Sequence, residues 1–171
     1  PILTVPLHVP FRSIVAHVFS ACSSADTYRL KRTIALQNQF LELLSNDQGI
    51  EAVLERMSQL LLCSVLLFDH TGEVRFERDV EDVDTEEVFR RCLLAGSTTP
   101  THRSISVDGH QGFFREIRIG GLLTRLVVAF PHAGCQVELL DNVLTYTQRL
   151  IGMHLLAERD RAALRMRTGS N

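Results

Sequence analysis

The sequence lacks the features that mark several large classes of protein. No apolar run approaches the length of about 20 residues that a helix needs to cross a bilayer. The sequence also does not begin with a basic segment followed by an apolar one, the pattern of a secretory signal peptide. The 18 basic residues are outnumbered by 20 acidic ones, which gives a formal charge of −2. A dedicated nucleic-acid binder carries a basic surplus, so the chain is expected to contact neither membranes nor, by itself, DNA.

Close cysteine pairs and catalytic motifs are also missing. The four cysteines are Cys22, Cys63, Cys92 and Cys135, with no C-x-x-C pair among them. Zinc sites usually show paired ligands, so no metal is predicted, and thiols in apolar surroundings suit a reducing cytoplasm. Nucleophile-elbow, phosphate-loop, zinc-protease and dinucleotide motifs do not occur. We therefore expect no enzyme and no cofactor.

Apolar periodicity divides the chain into helical ends and a strand-rich middle. Helical spacing predicts helices within 11–61, with 23–26 as either a break or a polar turn. Alternation predicts five strands within 63–130 and one intervening helix, which Asp84 can cap. A helical pattern then continues to about Met166. Short turns between the strands indicate an α+β fold, with an antiparallel sheet packed against long N- and C-terminal helices.

Two adjacent glycines predict a hairpin near the end of the sheet. Gly120-Gly121 separates two alternating runs, and type I′ turns need positive φ at both central positions. The register then places Ile119 opposite Leu122 and Glu116 opposite Arg125. Alternation collects a mixed set on one face of the sheet: Phe114, Glu116, Arg118, Leu123, Arg125 and Val127. Such a face suits a small anionic or polar metabolite, or it is simply exposed and carries a Glu116–Arg125 ion pair.

Five stretches of the sequence resemble parts of a known family. Residues 1–6 and 9–11 look like the end of its amino-terminal domain running into a linker helix. Residues 34–44, 49–54 and 63–74 are similar to the opening of its central region. The family is that of the PucR bacterial transcriptional regulators, whose central region is GAF-like.

The resemblance implies a cytoplasmic regulator whose central domain senses or transmits a signal. It assigns residues 1–25 to the end of a preceding domain and the linker helix, 26–166 to the GAF-like regulatory domain and 167–171 to a tail. The first residue is not Met, so we expect a piece of a longer protein, with DNA bound through a carboxy-terminal domain absent here. In GAF-like folds one sheet face takes the terminal helices, and the other can form a ligand cavity.

The mixed face and a neighbouring strand supply the candidate ligand residues. Aromatic and basic side chains there suit a small-molecule effector. The candidates are Phe114, Arg118, Arg125, His102 and Arg103. The alternative is a purely structural dimerisation module without a ligand.

The long helices supply the candidates for self-association. Leu30, Ile34, Gln37, Leu41 and Leu44 repeat at the four-three spacing of a helical seam. The last helix carries two adjacent apolar stripes, of which one can cover the sheet and the other a second copy. The candidate interface residues of a homodimer are Leu30, Ile34, Leu41, Leu144 and Ile151. Alternatively, the two helices cover each other within one chain.

Overall fold

The computed structural model describes residues 11–46, 48–80, 83–96 and 103–168. His102 and the segment 1–6 lie outside the described residues. The elements follow one another as α1 (Phe11–Ser45), α2 (Gly49–Leu61), β1 (Cys63–Asp69), β2 (Val74–Arg78), α3 (Thr85–Gly96), β3 (Ser104–Val107), β4 (His110–Ile119), β5 (Leu122–Pro131) and α4 (Val137–Thr168).

The five strands form one antiparallel sheet in the order β2-β1-β5-β4-β3. The α+β class and the antiparallel sheet are confirmed. Asp84 caps α3 as predicted, because its Oδ1 accepts from the amides of Glu86 and Glu87 at 3.0 and 3.3 Å. The segment 23–26 is helical, so α1 has no break there.

The β4–β5 hairpin confirms its predicted turn and corrects its predicted register. Ile119 pairs with Leu122, and Gly120 and Gly121 have φ values of 60° and 82°. Further from the turn, however, Glu116 pairs with Leu126 and not with Arg125. A bulge inserts one extra residue on β5, which shifts the pairing and turns Arg125 to the opposite face of the sheet.

The two faces of the sheet are covered differently. On one face, α1, α2 and α4 enclose the larger core, which includes Phe40, Met57 and Val127. On the other face, α3 encloses a smaller core, which includes Phe68, Cys92 and Phe114. β1 is buried along its whole length because both layers pack on it.

Helices α1 and α4 pack side by side and run in the same direction. Near the start of α4, Arg29 Nη1 lies 3.0 Å from Glu138 Oε2. Two turns further along α1, Gln37 lines the same groove as Arg149. The shared direction means that each helix leaves the sheet region at the opposite end from the other.

Both helices extend beyond the packed region. Every described side chain of α1 from 15 to 30 is exposed, and so is every side chain of α4 from 156 to 167. These overhangs correspond to about 24 and 18 Å of helix. The domain boundary predicted between 25 and 26 falls within the overhang of α1, and α4 passes the predicted boundary at 166.

The apolar stripes of α4 are both largely covered within the chain as far as Ile151, whereas Met153 beyond it is 61% exposed. Leu144 and Ile151 are buried in the larger core, and so are Leu139 and Leu150 of the other stripe. Leu144 and Ile151 are therefore not available to a second copy, since the sheet, α1 and α2 already cover this length of α4. In this part of the molecule, α1 and α4 therefore cover each other within one chain, as the alternative prediction has it.

Candidate functional site

The predicted ligand residues separate into three environments. Phe114 is fully buried between the sheet and α3, where it helps to close the middle of that face. Arg103 and Arg118 lie on the same side, around Glu116. Arg125 lies on the other side, opposite Ile117. The bulge in β5 is the reason that the predicted mixed face is not one surface.

A buried carboxylate holds the two arginines on the α3 side. Glu116 is almost inaccessible, and its Oε2 lies 3.3 Å from Arg103 Nη1 and 2.8 Å from Arg118 Nε. A side chain at Gly96 would collide with Oε1, so the end of α3 sits directly on this carboxylate. Burial, and secondly the charge of Glu116, raise the pKa of the Cys92 thiol nearby. Arg103 and Arg118 are thus both paired with a carboxylate of the protein itself.

A cavity of about 310 Å³ lies on the α3 side, at the opposite end of α3 from Glu116. Its volume is at the lower end of the range for small-molecule sites. Its lining comes from the start of β1, the connection from β2 to α3, the start of β4 and the end of β5. The lining residues are Ser64, Asp79, Val80, Val83, His110, Gln111, Phe130, Pro131 and His132. None of them is among the five candidate ligand residues predicted from the sequence.

The polar end of the cavity is organised by a buried hydroxyl group. Ser64 Oγ lies 2.5 Å from the carbonyl oxygen of Asp79 and 2.6 Å from His132 Nε2. A carbonyl only accepts, so the single hydroxyl proton of Ser64 is donated to Asp79. His132 Nε2 must therefore carry a proton and donate it to Ser64 Oγ. The pair is consequently not arranged as a nucleophile with its general base.

The apolar end of the cavity is fixed by an aromatic ring. A Cβ at Gly112 would lie only 2.6 Å from the ring of Phe130. The absence of a side chain at this position lets the ring lie against the β4 backbone. Val80 and Val83 line the cavity as well and pack against the smaller core. The cavity therefore combines a flat apolar wall with a polar rim.

Strand β4 connects this cavity with α4. His110 and Gln111 at its start line the cavity. Further along, Arg115 Nη2 lies 2.7 Å from Asp141 Oδ1 of α4. Gln148 of α4 donates a hydrogen bond from Nε2 to a backbone carbonyl of the same strand.

Comparison with known proteins adds no relative: no family model matches the sequence, and no curated protein matches it. Within the described ranges, no helix has the length and apolar character needed to cross a membrane. Among the same residues, no group of three or more His, Cys, Asp and Glu side chains is placed to hold a metal ion.

Proposed function

We propose that this chain is the regulatory, signal-transmitting domain of a cytoplasmic, PucR-like bacterial transcriptional regulator and is not an enzyme. The observation that carries the proposal is the arrangement of the two long helices. They lie side by side, point the same way and overhang opposite ends of the domain. A domain built in this way can receive a conformational signal at one helix and deliver it through the other. DNA binding would belong to a separate domain of the regulator.

The distribution of helices over the sheet supports a GAF-like assignment. The terminal helices share one face with α2, while the other face carries α3 and the cavity lined by Ser64 and His132. This division is the one that the resemblance implies for a sensor domain. The cavity gives the proposed domain a place for a small-molecule effector.

An exposed apolar stripe on α1 supports self-association as part of this function. Leu30, Ile34 and Leu41 are 61%, 46% and 44% exposed, although α1 buries Leu36 and Phe40 on its inner side. Their spacing is that of a helical seam. A second copy is the occupant that fits, because a two-fold axis brings the same stripe to itself. Tyr146 and Arg149 of α4 line a groove together with Leu30, beside this surface.

Sedimentation velocity of charge-introducing variants tests the dimer. The wild-type domain is expected to sediment as a dimer at tens of micromolar, and Ile34→Glu combined with Leu41→Glu as a monomer, because two carboxylates would be buried in each copy. Ala35→Glu adds one such carboxylate at an exposed position of α1 that lies off the stripe, and it should leave the dimer intact. Far-ultraviolet circular dichroism checks that each variant is folded. A monomeric wild type, or a dimer that Ile34→Glu and Leu41→Glu leave unchanged, would contradict this interface.

A purely structural dimerisation module is the second candidate function. It is favoured by the closed middle of the α3 face, where Phe114 and Cys92 are fully buried. A thermal-shift screen of metabolites separates the two candidates, because a ligand that binds only the native state raises the melting temperature. A sensor should respond to some compounds of one chemical class, whereas a structural module should respond to none.

A further inference from the structure

We propose that the cavity at the amino end of α3 binds a small organic ammonium ion with an apolar or aromatic body. The inference rests on the proposed function for its regulatory meaning. Binding to the cavity and self-association of α1 are nevertheless measured separately, so either one can fail without the other.

The charge of the lining decides between anionic and cationic ligands. No Lys or Arg occurs among the described residues that line the cavity, and Asp79 is the one carboxylate among them. Asp79 Oδ2 lies 3.3 Å from Arg78 Nε, while Arg78 Nη1 lies 3.2 Å from Glu55 Oε1, so this guanidinium is shared between two carboxylates. The amides of Glu86 and Glu87 at the start of α3 are already bonded to Asp84. An anion would therefore meet no cationic side chain among the described lining residues, and neither of these two amides.

The hydrogen-bonding groups at the rim favour a donor. Because Ser64 gives its proton to the Asp79 carbonyl, His132 carries a proton on Nε2, and in that neutral tautomer Nδ1 is the ring's acceptor. Gln111 adds an amide oxygen to the lining. An ammonium group has three donors and no acceptor, so it complements a carboxylate, an imidazole nitrogen and an amide oxygen.

The wall of the cavity favours an apolar body next to that cation. The ring of Phe130 lies against the backbone at Gly112, and Val80 and Val83 supply further apolar surface. An alkyl or aryl group can displace water from this wall, and the face of an aromatic ring also attracts a cation. A bare metal ion would gain nothing from these apolar groups.

Three ligands of nearly the same shape test the proposal by isothermal titration calorimetry. They are 2-phenylethylammonium, 2-phenylethanol and phenylacetate, which carry a positive, a neutral and a negative group on the same body. We expect the ammonium ion to bind at least about tenfold more tightly than the alcohol, a difference of about 1.4 kcal/mol, and the carboxylate not to bind. Equal affinity for the ammonium ion and the alcohol, tighter binding of the carboxylate, or no binding of any of the three would overturn the proposal.

Two matched substitutions locate the bound cation. Asp79 and Asp108 are the two aspartates with left-handed φ in the described chain, at 52° and 50°. Asn tolerates that backbone conformation nearly as well as Asp, so Asp79→Asn and Asp108→Asn remove one charge each without straining the chain. Asp79→Asn should weaken binding of 2-phenylethylammonium about tenfold, whereas Asp108→Asn, outside the lining, should change it less than twofold. Equal effects of the two substitutions would show that the cation binds elsewhere.

Discussion

The ion pair that fastens α4 to β4 gives a sharp prediction, because its two partners are unequally buried. The side chain of Arg115 is 10% exposed and that of Asp141 is 36% exposed. Arg115 Nη2 lies 2.7 Å from Asp141 Oδ1, and Nη2 and Nε donate to Thr145 Oγ1 at 3.1 and 3.2 Å. We expect Asp141→Ala to lower the free energy of unfolding more than Arg115→Met does.

The magnitudes follow from what each substitution leaves behind. Asp141→Ala leaves the guanidinium of Arg115 buried and without its counter-charge, which costs about 2 kcal/mol given that Thr145 still accepts two hydrogen bonds. Arg115→Met keeps most of the apolar volume and leaves Asp141, which water can reach. Its cost is therefore smaller, about 1 kcal/mol, for the lost hydrogen bonds.

Urea denaturation at pH 7, followed by circular dichroism, measures both costs and their coupling. The double variant Arg115→Met/Asp141→Ala should be about as stable as Arg115→Met alone, because the penalty of Asp141→Ala arises from the unpaired charge. A cost of Arg115→Met equal to or above that of Asp141→Ala would refute the reasoning. Additive effects of the two substitutions would refute it as well.

Two further predictions concern pH and thiol chemistry. Hydrogen bonds from Thr71 and then from Arg75 hold the pKa of Asp69 well below its usual range; the carboxylate therefore stabilises the fold at neutral pH, and this contribution is lost as the pH falls below about 4. Asp69→Asn should reduce the fall in the free energy of unfolding between pH 7 and pH 3, measured by urea denaturation at each pH. An unchanged fall would contradict this role of Asp69. Burial, the larger effect, and the nearby Cys135 raise the pKa of Cys63 to about 12, and burial raises that of Cys92. Iodoacetamide at pH 8 should therefore modify these two thiols only after unfolding, as read by peptide mass spectrometry, and rapid labelling of the native protein would contradict it.

The general fold was predictable from local patterns, whereas the pairing of residues on neighbouring strands was only partly predictable. Gly120-Gly121 determined a turn because few other residues adopt positive φ twice in succession. Alternation at period two cannot show that one strand has an extra residue, so the bulge that moves Arg125 to the other face was not visible. The spacing of apolar residues also could not show whether α4 buries both of its stripes, because that depends on how α1 and α2 are placed.

The residues that line the cavity were missed because they come from the ends of elements that are far apart in the sequence. Ser64 and His132 are 68 positions apart, and they meet only because the start of β1 pairs with the end of β5. One local signal was available: Ser64 is a hydroxyl-bearing residue in a strand that is apolar apart from its final residue, Asp69, and a buried polar group needs partners. The environment of the predicted arginines was hidden for a related reason, since sequence alone does not show that Glu116 pairs with Arg103 and Arg118.

The proposed signalling function and the proposed ligand site are joined by strand β4. His110 at the cavity and Arg115 at α4 are five residues apart, about 17 Å along an extended strand. From that attachment α4 continues to its exposed overhang, so a small tilt of the helix at Arg115 becomes a larger displacement at its far end. A ligand can shift such an equilibrium only by the difference between its affinities for the two arrangements of the helix. For the proposed effector to act in this way, its contacts with His110 and Gln111 at the start of β4 have to change with the position of α4.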